Sequence, residues 1–420
     1  MRRVIKYGGT SLATPAHFER AARAIAGLVE VGEQVAVVVS AMGDETDRLL
    51  GEMSECCAGS PDAATLLRYL STGEERSVLM MTAALTTQRI NAVPFLPRDR
   101  EHWPLIVDSD DASPVAPIKT NEERDFSVRT QKTSNRFHRN VLPRLRLGDV
   151  PVIAGFMALS SRDELVTLGR GGSDITAFIT GRYIDADEVV IVTDVEGVLS
   201  ADPRLASNPR ILENLSAEDA EIIAGCGVRV VHPRALRFKS ADTRVRVIDH
   251  RKQDELVKTG TTITGESKAS IFRNQSPLAM LVLVGQGWAN RPGILGKLAS
   301  CLGEHDIPIN AATCGSKFIV FYLGEDVAEE AHRLLHDIVD AEPQTFTNIT
   351  LRGGIGEIRL RSGAFIETPG IVADATRVLA HKGINLIEAV TSLSDIHFFL
   401  KWDDLDAAYD GLLKLIKTKY

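Results

Sequence analysis

No apolar run in this chain of 420 residues approaches the ~20 residues that a membrane-crossing helix needs; runs such as Val35–Val39 and Ala279–Val284 are far shorter. The N-terminal stretch Met1–Tyr7 is basic but leads at once into a short strand pattern and a glycine turn. It lacks the apolar core of about 7–15 residues that an export signal carries. An excess of positive charge is missing too: 48 Lys and Arg stand against 56 Asp and Glu, a net charge of −8, so no global field draws the chain to nucleic acid or an anionic membrane. Cysteine is scarce. Cys56, Cys57, Cys226, Cys301 and Cys314 are odd in number and scattered, with no CxxC pair and no His/Cys ligand spacing. They read as reduced thiols of a cytoplasmic protein; no disulfide framework and no metal site is expected, and a vicinal Cys56–Cys57 disulfide would be strained.

What is present is an ordinary globular mixture, 44% apolar and 25% charged. At roughly 100–200 residues per domain, the length calls for several domains. Residues 1–265 alternate short β-branched runs (Arg3–Tyr7, Gln34–Ser40, Pro151–Ala154, Glu188–Thr193) with helical patterns. Pro15–Val31 places Phe18, Ala21, Ala22, Ile25, Leu28 and Val29 at helical spacing, and Ile175–Tyr183 opens another helix. This alternation predicts an α/β domain with a mostly parallel sheet between helices. The segment 97–140 is rich in charge and proline. It carries Arg124, Arg129, Lys132, Arg136 and Arg139, which read as a solvated face in preference to a phosphate-binding patch.

From Gly260 to Pro277 the pattern loosens into Gly, Ser, Thr, Lys and Pro, and residues 266–278 read as a connector. Beyond them lies a repeat, spanning 279–345 and 355–420. Each copy has an apolar strand (Met280–Val284; Glu357–Leu360) and a Pro-Gly-Ile turn (Pro292–Ile294; Pro369–Ile371) that feeds a helix (Leu295–His305; Val372–His381). A further strand (Phe318–Leu323; Ile396–Trp402) and a last helix (Val327–Val339; Leu405–Ile416) follow. The pattern predicts two α+β units of βαββαβ type. A Pro-Gly helix start exposes free N–H groups, a place for a carboxylate.

Three polar loops carry chemistry. Lys6-Tyr7-Gly8-Gly9-Thr10-Ser11 joins the first strand to the first helix; its glycines let backbone N–H groups approach a polyanion and Lys6 adds a full charge, although a tight structural turn has the same form. It is neither a P-loop nor a GxGxxG turn. Leu168-Gly169-Arg170-Gly171-Gly172-Ser173-Asp174 opens a second helix. Arg170 offers a carboxylate a bidentate fork, and Asp174 can orient Lys6 or a metal-bound water; alternatively Ser173 and Asp174 only cap the helix. Thr193-Asp194-Val195-Glu196-Gly197, running on to Asp202-Pro203-Arg204, leaves a buried strand at its carboxyl end, where parallel sheets bind ligands such as nucleotides.

These strings, together with Val39-Ser40-Ala41-Met42 and Thr46, Gly73-Glu74, Gly155-Phe156 and Val231-His232-Pro233, occur in the order found in the amino acid kinase family. The pattern resembles the family's aspartate kinases, and the repeats resemble their tandem ACT domains. The resemblance implies a three-layer amino acid kinase fold over 1–265, followed by two ferredoxin-like ACT units. It implies transfer of the ATP γ-phosphate, with Mg²⁺, to the β-carboxylate of L-aspartate. By resemblance, Lys6 and Asp174 are catalytic, with Lys6, Gly8 and Gly9 on the phosphates. Ser40, Thr46, Glu74, Phe156, Arg170 and Ser173 bind substrate, Glu74 facing its ammonium and Arg170 a carboxylate. Thr193, Asp194, Arg204 and Arg229 line the ATP site. An effector such as lysine or threonine is expected near Pro292, Gly293 and Asn385, in a homodimer or larger assembly. Tyr7, Leu199 and Arg229 stand where relatives often carry Phe, Tyr and Lys, and Pro308 and Asn310 replace effector-side Asn and Asp. Another kinase of this fold, or an inactive ACT-type sensor, remains the alternative.

Overall fold

Strands form where β-branched residues run together, and five of them set the frame of the N-terminal half: β1 (Arg2–Tyr7), β2 (Gln34–Val39), β3 (Ala92–Phe95), β4 (Val150–Ala154) and β5 (Glu188–Thr193). The computed structural model describes residues 1–57, 61–108, 127–128, 130–228, 231–256, 259–366 and 370–419. It divides into the units Met1–Ser267 and Lys268–Tyr420. In the first unit β6 (Asn214–Ser216), β7 (Arg244–Asp249) and β8 (Thr261–Thr264) complete a sheet of order β6-β8-β7-β5-β1-β2-β4-β3 among the described residues. Every pair is parallel except β7 with β8. Every residue of β4, and all but one of β2 and of β5, is buried, so helices must cover both faces.

The helices follow local signals. α1 (Pro15–Glu30) begins with proline at its first position and buries Phe18, Ala21, Ala22, Ile25 and Ala26. α2 spans Glu45–Cys56, and α3 spans Ala63–Thr87, capped by Asp62, whose side chain accepts from Thr65 N at 3.0 Å. α4 spans Gly172–Tyr183. A smaller sheet of Ile106–Asp108, Ser127–Val128, Met157–Ser160 and Leu165–Thr167 leads into α4. In the basic segment 97–140, Arg136 donates to the carbonyls of Arg100 (2.7 Å) and Trp103 (2.9 Å), and Arg139 to that of Glu101 (3.3 Å); these guanidiniums tie down local backbone. Arg124 and Arg129 lie outside the described residues.

Register places the chemistry. Tyr7 pairs with Val39 and with Val192, Val39 with Ala154, and Thr193 with Asp249, so β1, β2, β4, β5 and β7 end on one edge. At the opposite edge Glu188, 1% exposed, accepts from Arg3 Nε (2.8 Å) and Arg246 Nε (3.0 Å), and Arg3 also pairs with Glu33. This buried network ties β1, β5 and β7 together.

The second unit holds β9 (Ser270–Arg273), β10 (Leu278–Val284), α5 (Ile294–Glu304), β11 (Ala311–Cys314), β12 (Phe318–Gly324), α6 (Ala328–Ala341), β13 (Asn348–Arg361), α7 (Ile371–His381), β14 (Leu386–Thr391), β15 (Asp395–Lys401) and α8 (Leu405–Lys419). The strand order is β11-β12-β10-β13-β15-β14, with β9 also on β13. The stretch 266–278, expected to be a connector, thus supplies a strand: β9 pairs with the second repeat at Ile271–Leu360 and takes the place of its fourth strand. One long strand, β13, serves both repeats, pairing with β10 through its first half and with β15 through its second. Alternation divides the side chains. Ile319, Phe321 and Leu323 join Leu298, Leu302 and Leu335 in one core, while Val320 and Tyr322 point the other way. On that face the Tyr322 ring stacks on Phe399 of the second repeat, centroids 3.6 Å apart. The helix-free faces of the two repeats therefore pack together.

Candidate active site

The loop after β1 is drawn tightly against its neighbours. Gly43 N donates to Gly9 O at 2.8 Å, and a Cβ at Gly9 would stand 2.7 Å from Gly43 O and 2.8 Å from Ala41 O, so only glycine lets the β1 and β2 exits approach this closely. Gly8 N bonds Val192 O at 3.2 Å and Ser11 Oγ bonds the same carbonyl at 3.1 Å. Lys6, in the last turn of β1, reaches across with Nζ 2.7 Å from Asp174 Oδ1.

Asp174 stands in the first turn of α4, 8% exposed, and its Oδ2 accepts the backbone N–H of His232 at 3.3 Å. α4 can start there because Gly171 adopts φ 68°, and because a Cβ on it would fall 2.3 Å from His232 Cβ. The Gly-Gly of this loop is thus required by the backbone turn and by His232 together. Phe156, after β4, also has a positive φ of 68°, a strained setting for an aromatic residue. Its Cα lies where a Gly172 side chain would collide (2.9 Å), and Ser173 Oγ sits 2.5 Å from the Cβ position of Gly155. Phe156, Ser173 and Asp174 therefore converge where β4 meets α4. Arg170 at the loop's crest is exposed and makes no ion pair among the described residues.

Glu74 lies midway along α3, 3% exposed, and its Oε2 has no hydrogen-bond partner among the described residues. Burial pushes its carboxyl up to about 8; the backbone N–H of Ala41 opposes that shift in part, and Glu45 and Glu75 add to it. Its neighbour Glu75 has Arg98 at 3.4 Å, and Glu45 is occupied by Arg48 and Arg76 at 2.8 and 3.1 Å. Glu74 is left as a buried carboxylate facing the Ala41 loop that still wants a cation. Ser40 and Thr46 lie on the β2 exit and the start of α2, both half-buried.

Thr193 and Asp194 leave β5 with Thr193 Oγ1 3.2 Å from Asp194 Oδ1. Arg204 is turned to Asp202 in its own loop, 2.7 Å between Nη2 and Oδ2, with its side chain 87% exposed; this pairing holds the Asp202 carboxyl down at about 2. Arg229 lies outside the described residues. Lys6, Gly8, Gly9, Ser40, Phe156, Ser173, Asp174 and Thr193 thus meet at one sheet edge, whereas Arg204 is engaged locally. In the second unit Pro292 and Gly293 stand exposed before α5, Gly293 with φ 89°, and Asn385 is exposed before β14. Sequence reasoning assigned no role to His232, though the string Val231-His232-Pro233 was visible, and it missed His250, which follows the unremarked strand β7.

A parallel sheet whose anion-accepting loops face a buried lysine–carboxylate pair and an unpaired acid defines a phosphoryl-transfer type of α/β protein, and the chain belongs to the amino acid kinase family, which matches residues 1–249. It is similar to aspartokinase 2 of Bacillus subtilis, 27% identical over 417 residues covering 97% of this chain and 96% of the relative. It is also similar to the aspartokinase of Mycolicibacterium smegmatis, 28% identical over 426 residues, 97% and 94% of the two chains. Among solved structures, aspartate kinase from Synechocystis superposes with a TM-score of 0.79 at 25% identity, covering 99% of this chain and 70% of that one.

Proposed function

We infer that this protein transfers the γ-phosphate of ATP to the β-carboxylate of L-aspartate, giving 4-phospho-L-aspartate and ADP, the entry to lysine, threonine and methionine synthesis. The observation that carries the reading is the convergence of the Lys6–Asp174 pair and the unpaired Glu74 on the edge where β1, β2 and β5 end, in a chain alike to aspartokinases over 97% of its length. The aspartate β-carboxylate, with an ordinary pKa of about 4, is already ionised at neutral pH and needs no general base. One of its oxygens forms the new bond to the γ-phosphorus while the bond to the β,γ-bridging oxygen breaks, and ADP leaves with that electron pair. The difficulty is repulsion between two anions. Lys6, steered by Asp174, and the N–H groups of Gly9 and the α4 start offset it, while the Gly8 N–H, held by Val192 O, fixes the loop. Glu74 takes the substrate ammonium and Arg170 a carboxylate, with Ser40, Thr46, Phe156 and Ser173 closing around the amino acid. Thr193 and Asp194 frame the nucleotide, with Arg204 at its rim; Arg229, given the same role by resemblance, lies outside the described residues.

Mg²⁺ carried by the triphosphate would supply further positive charge against this repulsion. Among the described residues no three carboxylate, imidazole or thiolate groups form a resident site, and Asp174, already bonded to Lys6, suits an orienting role. Five free thiols accord with a cytoplasmic enzyme. Regulation belongs to the repeats: the start of α7 opens on a cavity of about 640 Å³ lined by Phe365, Ile371, Thr376, Thr391, Ser392 and Ile396. Pro292, Gly293 and Asn385 are exposed and do not line that cavity; they are the residues proposed to meet lysine or threonine. The open edges of β11 and β14 are the surfaces through which copies pair. ADP release measured over aspartate, glutamate, acetylglutamate, carbamate and UMP tests the reading: turnover with aspartate alone supports it, and preference for another acceptor refutes it.

A further inference from the structure

Two consecutive carbonyls at the end of β5 are held from opposite sides. Val192 O, on the β1 side, accepts from Gly8 N and Ser11 Oγ. Thr193 O, on the β7 side, lies 3.1 Å from Nδ1 of His250. The β5–β7 ladder ends at the pair Thr193–Asp249, because the Asp249 side chain accepts from Arg251 N at 2.7 Å and turns the chain into the 3-10 segment His250–Glu255. Where the backbone leaves the sheet, an imidazole takes the free carbonyl. A carbonyl only accepts, so Nδ1 carries a proton and donates it to Thr193 O.

His17 of α1 stands against that ring, centroids 5.6 Å apart and planes inclined by 42°. Burial, then His250 and Arg20, lower His17 from its ordinary imidazole value. The other charged groups nearby are largely committed: Asp249 and Arg251 to each other, and Lys252 to Glu196 at 3.3 Å. The Asp249 carboxylate remains 3.8 Å from His250 Nδ1, and Asp194 follows directly on Thr193.

We propose that His250 is a positioning residue for the nucleotide: its Nδ1–H holds the Thr193 carbonyl and so fixes the direction in which Thr193 and Asp194 leave β5. The glycine loop clamps one side of this strand end and His250 the other, so the phosphate cradle and the nucleotide frame keep a constant spacing. This inference rests on the reading of Thr193 and Asp194 as lining the nucleotide.

The test compares His250→Phe, which fills the space without a donor, with His250→Asn, whose amide N–H can stand where Nδ1 stood. H250F raises the KM for ATP about 5- to 10-fold, the effect of losing one hydrogen bond, with the aspartate KM within about 2-fold; H250N restores most of the loss. His250→Ala serves as the donor-free variant should H250F fail to fold. An unchanged ATP KM, an equal rise for both substrates, or an H250N enzyme no better than the donor-free variant overturns the proposal. A wild-type protein without aspartate-dependent ADP release sinks the functional reading instead, so the two failures are told apart.

Discussion

Replacing Glu74 with glutamine separates stability from function at one residue. The carboxyl is 3% exposed and burial raises it from its ordinary 4.5 to about 8. Below the ordinary value the group is neutral whether folded or unfolded, and it costs nothing. Between the two values the folded chain keeps a proton that the unfolded chain gives up, so stability falls as pH rises, and the loss levels off above the folded value. At about 1.4 kcal/mol per pH unit the penalty is about 3 kcal/mol at pH 7. Glu74→Gln keeps the shape without the ionisable proton, so the catalytic unit should melt roughly 5–10 °C higher at pH 7, with little change near pH 4.5. The same substitution removes the carboxyl proposed to meet the substrate ammonium and should weaken aspartate binding by about 10- to 100-fold. In the wild type the carboxylate must ionise to bind, so the aspartate KM should fall roughly 8-fold from pH 7 to pH 8.5. Calorimetric melting and aspartate titrations across that range check both halves. A Glu74→Gln protein that melts no higher and binds aspartate as before would refute the reasoning.

Other outcomes follow from the same geometry. Lys6→Ala should cut kcat by at least 100-fold while the aspartate KM changes little, and Arg170→Ala should chiefly raise the aspartate KM; steady-state kinetics in which the two variants behave alike would contradict the separate roles. Gly171→Ala forces a Cβ into His232 at a positive φ and should displace the α4 start, lowering kcat/KM at least 10-fold with both substrates; an unaffected enzyme would show that this turn does not set the site. Glu188→Ala leaves Arg3 and Arg246 without their shared carboxylate at the opposite sheet edge, and should cost about 3–5 kcal/mol in denaturant melts without altering either KM.

Sequence alone reached far in the catalytic half because its strands are uninterrupted β-branched runs: β5 matches the expected Glu188–Thr193, and β1 and β2 differ from expectation by one residue at an end. Two of the three polar loops were legible from a glycine pair at the start of a helix, and the third from a polar run at the carboxyl end of a buried strand. Less was visible where long-range pairing decides. α3 was not foreseen around Gly73-Glu74, since its polar and apolar residues form no clean stripe over 25 residues. β9 sits in a stretch of turn-forming residues and is a strand because β13 offers it an edge. β11 and β14 are short edge strands with little apolar alternation. The Lys6–Asp174 pairing was anticipated among alternatives, but the orphaned state of Glu74 and the grip of His250 on Thr193 depend on burial and on neighbours distant in sequence.

The central claim is that a carboxylate of aspartate takes up the phosphoryl group, and an acyl phosphate is trapped directly by hydroxylamine. Incubation of the protein with ATP, Mg²⁺, L-aspartate and hydroxylamine should yield aspartyl hydroxamate in proportion to ADP, with Lys6→Ala reducing both together. A folded protein that gives no hydroxamate above a blank lacking aspartate would contradict the account.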